Sequence, residues 1–162
     1  NTRVVRRSHA LLGMPWGADY QYDEALLSSS RMRATVNSAG AGAAMVTMAI
    51  GPTRKFAQRF LPQPGEGPSR QQRESGFWEV FMLGINPDDR SHDTFAKISG
   101  DMDPGYGSTS KMLGESALCL ARDERSTGGG IWTPAAAMGD KLLTRLESKA
   151  GLTFELLSGA PA

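Results

Sequence analysis

Nine residues, Pro62–Arg70 (PQPGEGPSR), hold three prolines and two glycines. Neither helix nor sheet tolerates that density, because proline lacks the backbone N–H and glycine loses the most conformational freedom on ordering. Whatever the chain folds into must pass through this stretch as a turn or a linker, and composition favours the linker. Residues 1–61 and 62–162 are therefore read as two parts of one domain. The first is expected to hold a strand and a small-residue helical segment, the second a hairpin followed by two helices.

The whole chain has 162 residues, 40% apolar and 22% charged, with a net charge of +1. That is ordinary globular composition, enough for about one domain. A balance so near neutral gives no electrostatic case for nucleic acid. The arginines of Thr2–His9 (TRVVRRSH) read as a solvated face. Cys119 is the single cysteine and stands with only His9 and His92, so there is no internal disulfide and no spacing for structural zinc. No metal is expected, and a reducing, cytoplasmic location is the default. The chain opens on Asn1 rather than methionine and is expected to be a piece of a longer polypeptide.

Along the first part, Tyr20 and Tyr22 alternate with polar residues in Gly17–Ser28, the period-2 pattern of a half-buried strand. Helix is expected from Arg31 to Ile50. Its stretch Ala34–Ile50 (ATVNSAGAGAAMVTMAI) has no charged residue, yet it is too short and too polar for a membrane span. Two readings stand side by side: a small-residue helix packed against neighbours, or a surface that touches lipid. A second short helix, Thr53–Leu61 (TRKFAQRFL), follows the Gly51-Pro52 break.

In the second part, GFWEVFMLGIN and DTFAKISGDM read as two strands of an antiparallel hairpin joined by PDDRSH. Phe77, Phe81 and Leu83 fall on one face of the first strand and Trp78, Val80 and Met82 on the other. A strand apolar on both faces is expected to be central or to lie under helices. A helix over Ser108–Arg122 shows an apolar stripe at Leu113, Ala117, Leu120 and Ala121. Thr133 and Pro134 give the next helix its cap and first turn. Met138, Leu142 and Leu146 follow at helical spacing, and Lys149 with Gly151 mark the end. In LTFELL, Leu152, Phe154 and Leu156 alternate inward against Thr153 and Glu155. Helices and hairpin strands in this order give an α+β fold, a largely antiparallel sheet covered by helices.

The chemistry-bearing stretch is Gly100–Ala121 (GDMDPGYGSTSKMLGESALCLA). It looks like a phosphate loop but fits neither standard pattern. A Walker A loop puts glycine directly before the lysine and Ser or Thr after it; here Ser110 precedes Lys111 and Met112 follows. GYGSTS lacks the third glycine of a dinucleotide fingerprint, as does GAGAAM at Gly40–Met45. Asp103-Pro104-Gly105 is a strong turn, and Ser108 or Thr109 can cap the helix after it. A helix start with open N–H donors also welcomes an anion, with Lys111 and Tyr106 in reach. The turn is thus either a capped strand-to-helix connection or a ligand-facing loop. Asp101 with Asp103 could form an acid–base pair, but carboxylates flanking a turn more often serve as caps. Glu115 reads as a helix-surface residue, Cys119 as a core thiol, and Tyr20 and Tyr22 as strand aromatics.

Three blocks then carry a resemblance. Pro62–Val80 (PQPGEGPSRQQRESGFWEV), Gly100–Ala121 and Gly128–Leu157 (GGGIWTPAAAMGDKLLTRLESKAGLTFELL), in this order, resemble the C-terminal half of saccharopine dehydrogenase-like oxidoreductases. The branch is the one that contains the trans-acting enoyl reductases. The resemblance is specific from Leu61 to Leu157 and looser before. It implies a two-domain protein in which an N-terminal Rossmann domain, absent from this chain, binds NAD(P)H. The chain in hand would be most of the C-terminal substrate and dimerisation domain, inactive alone. It also implies a small-molecule, lipid-like or polyketide-type substrate, a homo-oligomer, and contact with a membrane or lipid surface. By the same resemblance Asp103, Tyr106, Ser108, Thr109 and Lys111 of the DPGY block, and Thr133 of the TPA block, face substrate or cofactor; no catalytic residue is assigned. The rival reading is a non-catalytic module that dimerises or docks on lipid through the small-residue helix. One fold hosts many chemistries, so resemblance alone does not choose the substrate.

Overall fold

A computed structural model describes residues 1–61, 65–123 and 127–159. Pro62–Pro64, at the start of the expected linker, lie outside the described residues, as do Arg125 and Ser126 of the loop before the last helix. The chain forms two compact units, one of Asn1–Tyr22 with Pro68–Ala162 and the other of Asp23–Gly67.

In the first unit, helix α1 spans Thr2–Leu11. In the second, α2 covers Arg31–Ala49, where the Ser30 hydroxyl accepts the Arg33 N–H at 3.2 Å as its N-cap. α3 covers Gly51–Ala57 and runs into a 3-10 turn at Gln58–Phe60. The first unit resumes with α4 (Arg70–Glu74), opened by a capping box in which Ser69 and Gln72 satisfy each other's backbone N–H. Then come β1 (Trp78–Gly84), a 3-10 turn at Arg90–His92, β2 (Thr94–Gly100), α5 (Gly107–Arg122), α6 (Pro134–Lys149) and β3 (Leu152–Leu157). The fold is α+β, as expected.

The three strands form an antiparallel sheet in the order β1-β2-β3. Its register fixes two unlike faces. Trp78, Val80 and Met82 of β1 share one face with Gly100, Ile98 and Ala96 of β2 and with Leu152, Phe154 and Leu156 of β3. No polar side chain interrupts it. On the other face Lys97 lies between Glu79 and Glu155, at 3.6 and 3.2 Å. The Glu155 pairing raises the lysine's pKa, as does Glu79 to a smaller degree.

The buried core is small. Cys119 of α5 packs against Met138 and Leu142 of α6, with Ala137 and Leu146 at its margin. α6 matches its expected pattern: the Thr133 hydroxyl accepts the Ala136 N–H, Pro134 sits in the first turn, and Gly139 interrupts the helix at φ 49 and ψ −133.

Four expectations are corrected. No strand forms in Gly17–Ser28. Instead the Tyr20 ring packs on those of Trp16 and His9, at centroid distances of 5.1 and 4.8 Å, and alternation alone supplies no pairing partner. β1 is an edge strand, not a central one, because β2 pairs it on one side only, and Val80, Met82 and Leu83 remain about half exposed. The Leu113, Ala117, Leu120, Ala121 stripe of α5 faces out, with Leu113 70% exposed, while Ser108 and Cys119 face in. At the far end of β3, Leu156 is 82% exposed, so the inward row stops at Leu152 and Phe154.

Candidate functional site

The turn between β2 and α5 is built around one carboxylate. Asp103 Oδ2 accepts the N–H of Tyr106 and Oδ1 that of Gly107, each at 2.8 Å, and the Asp103 carbonyl accepts the N–H of Ser108 at 2.9 Å. The Tyr106 N–H holds the Asp103 carboxyl below the usual carboxylate range, helped by those of Gly107 and Gly105 and by the charge of Arg73. The Asp103 N–H in turn donates to the Arg73 carbonyl at 3.0 Å, which ties the turn to α4. Gly107 is required by proximity. A Cβ there would lie 2.8 Å from Asp103 Oδ1 and 2.9 Å from the Met102 Cβ.

These bonds decide what the start of α5 can bind. Its first N–H donors already face an anion, the chain's own carboxylate. A phosphate at that point would have to displace Asp103. The turn does not fit the diphosphate of a nicotinamide cofactor.

The six sequence-marked residues have separate tasks. Asp103 caps α5. The Thr109 hydroxyl donates to the Pro104 carbonyl at 2.6 Å. Lys111 Nζ reaches Asp101 Oδ1 at 3.4 Å, and the Asp101 N–H donates to the Gly151 carbonyl at 3.3 Å. Ser108 is wholly buried, its hydroxyl without a partner among the described residues. Thr133 caps α6 and accepts a 2.8 Å hydrogen bond from Ser8 of α1. Tyr106 is exposed and lines an open cleft of about 580 Å³ with Arg70, Arg73, Glu74, Met102, Gly107 and Ser110. Of the six, Tyr106 alone faces this cleft.

The cleft's arginines went unmarked in the sequence. Their signal was the capping box at Ser69–Gln72, which starts a helix inside what reads as linker. Arg70 pairs with Glu74 at 2.7 Å, and Arg73 donates to the Pro68 carbonyl at 3.4 Å. The arrangement offers a cation, a phenol and an apolar wall (Met102). It suits positioning a ligand, with no assembled nucleophile and base.

A second charged cluster joins α5 to α6. Arg145 of α6 donates Nε to Asp123 Oδ2 at 2.6 Å, Nη2 to Asp123 Oδ1 at 2.8 Å and Nη1 to Glu115 Oε2 at 3.0 Å. The Arg145 bond pulls the Asp123 carboxyl down to about 2. Arg145 itself is driven upward by Asp123 and Glu115. Burial raises the Cys119 thiol, aided by the hydrogen bond and charge of Asp123, so it stays protonated, as a core residue does. Among the described residues no group of His, Cys, Asp and Glu could hold a metal ion, and no helix is long and apolar enough to cross a membrane.

No protein-family model matches the chain, and no solved structure was found to match it. Curated sequences do. The chain is 40% identical over 164 residues to a Mycobacterium tuberculosis H37Rv protein whose name gives it provisionally as a trans-acting enoyl reductase. The match takes in 96% of this chain and 38% of that protein. The trans-acting enoyl reductases of Mycobacterium ulcerans Agy99 and Mycobacterium bovis BCG are 36% and 37% identical, each over 90% of this chain and 36% of its own length. The chain therefore spans little more than a third of these relatives.

Proposed function

We propose that this chain is the substrate-side part of a longer trans-acting enoyl reductase of saccharopine dehydrogenase-like build. In this reading NAD(P)H, held by a nucleotide-binding part outside the chain, supplies the hydride that saturates an enoyl carbon–carbon double bond of a lipid or polyketide-type substrate. The chain's own residues wall the substrate and exclude water. The single observation that carries the reading is the 40% identity over 96% of the chain. Two features support it. The start of α5 is closed to a cofactor diphosphate by Asp103, in keeping with a cofactor held elsewhere. The uninterrupted apolar face of the sheet leaves Val80, Met82 and Leu156 exposed and is suited to receive the remainder of a larger protein.

The test uses the full-length protein that contains this chain, given NADPH or NADH and a series of 2-enoyl thioesters. Oxidation of the nicotinamide together with a saturated product, identified by mass, is expected. With this chain alone neither occurs. A full-length protein that binds neither cofactor would end this reading. Tyr106→Ala in the full-length protein is expected to raise KM for the thioester more than it lowers kcat.

A further inference from the structure

The outer edge of β1 has none of the features that keep an edge strand from pairing further. Proteins blunt such edges with lysine, proline, a bulge or a covering segment. Trp78–Gly84 contains no proline and no lysine, and its seven residues pair one to one with Thr94–Gly100, without a bulge. Its single charge, Glu79, is turned to Lys97 of β2 at 3.6 Å. Among the described residues no backbone hydrogen bond reaches β1 from outside the sheet. Apolar side chains stand on both of its faces: Val80 and Met82 on one and Leu83 on the other are each about half exposed. Phe77 and Ile85, just beyond its two ends, are 75% and 55% exposed. β3, at the opposite edge, sets Thr153 and Glu155 against its apolar row, the pattern of a strand with one wet face.

We propose that in the full-length protein a fourth strand, contributed by the same polypeptide outside these 162 residues, pairs along the outer edge of β1. The inference rests on the enoyl reductase reading only in taking the chain as part of a longer protein. Length supplies the occupant: the match takes in 38% of the Mycobacterium tuberculosis H37Rv relative, so more than half of such a protein lies elsewhere. In antiparallel pairs alternate residues turn N–H and C=O away from the neighbour, which leaves about half of the β1 backbone groups for this strand. Backbone bonds fix it, and its side chains extend both faces, beside Val80 and Met82 on one and Leu83 on the other. A strand tethered to the same polypeptide acts at an effective concentration of about millimolar, which a second copy matches only in concentrated solution.

The experiment is residue-resolved amide hydrogen exchange on the full-length protein. Every β1 amide is expected to exchange slowly, on the order of a hundredfold or more below the unstructured rate, and to stay slow on dilution. Slow and fast amides alternating along β1 overturn the proposal. So does protection that fades as the protein is diluted, which would put a second copy on this edge. Proline gives a second readout, because it removes one N–H and is tolerated only where that N–H faces an open edge. Met82 and Leu83 are neighbours, so one N–H faces β2 and the other faces away. With both sides of β1 paired, Met82→Pro and Leu83→Pro each lower the melting temperature well beyond Met82→Ala and Leu83→Ala. One proline no worse than its alanine counts against the fourth strand. Neither readout involves a cofactor. A full-length protein that binds neither NADPH nor NADH yet protects every β1 amide loses the enoyl reductase reading and keeps this one; a working reductase with a half-open edge does the reverse.

Discussion

Arg145 clasps Asp123 through two parallel hydrogen bonds, Nε to Oδ2 at 2.6 Å and Nη2 to Oδ1 at 2.8 Å, across 22 residues of sequence. Its third contact, to Glu115 at 3.0 Å, closes a three-residue clamp between α5 and α6. Five apolar residues are well buried among the described residues, Cys119, Met138, Leu142, Ala150 and Leu152. The clamp adds a charged tie between the two helices to that small core.

Arg145→Met is therefore expected to lower the melting temperature by several degrees, since it leaves the Asp123 and Glu115 carboxylates without their shared guanidinium. Arg145→Lys should recover only part of the loss, because an ammonium cannot reproduce the planar fork that meets both Asp123 oxygens. Thermal melts of the three proteins decide. Full recovery by lysine would show that charge alone matters there.

Acid should undo the same contact. The Asp123 carboxyl lies at about 2 in the folded chain, below its ordinary value of about 3.9. A depressed acid stabilises the fold fully above the unfolded value and loses that contribution as pH falls through the folded one. Stability owed to Asp123 is thus constant near neutrality and disappears between about pH 4 and pH 2. Asp103, also depressed, acts in the same sense. Urea midpoints against pH should fall less steeply for Asp123→Asn than for the parent; parallel curves would refute the assignment.

Gly151 follows α6 with φ +72, and a Cβ placed on it would run into the Asp101 carboxylate. Gly151→Ala is expected to cost about 1–2 kcal/mol for the backbone conformation alone. It should cost more if Asp101 is pushed away from Lys111. Urea denaturation measures it, and a neutral substitution would mean the segment relaxes freely.

Caps and core should separate cleanly in magnitude. Thr133→Ala removes the α6 cap and its bond from Ser8, for about 1 kcal/mol. Leu142→Ala opens a cavity beside Cys119 and should cost about 2–5 kcal/mol. Chemical denaturation of both variants checks the order, and a reversed order would displace the core from its assigned place.

The last helix was legible because its signals are local. Thr133, Pro134 and the Met138–Leu142–Leu146 spacing all lie within a few turns, and the structure uses each as expected. The hairpin was legible for the same reason. The rotation of α5 was not, because apolar residues lie on more than one side of it and the α6 residues that bury Cys119 lie far along the chain. Nor was the edge position of β1, since strand order depends on which other strands exist. Tyr20 shows how period-2 spacing misleads, because its ring finds partners in His9 and Trp16 of the preceding segment. At the turn, the Asp103-Pro104-Gly105 signal was plain, and it foretold the strand-to-helix connection. An aspartate ahead of such a turn readily takes the following N–H groups itself. The arginines of the cleft were hidden because proline and glycine counts outweighed the short capping box next to them.

Cys119 is 1% exposed and is the chain's single sulfhydryl. The molecule thereby carries its own gauge of opening. An alkylating reagent can mark only those copies in which α5 has momentarily parted from α6, so the pace of labelling reads out how often the two helices separate.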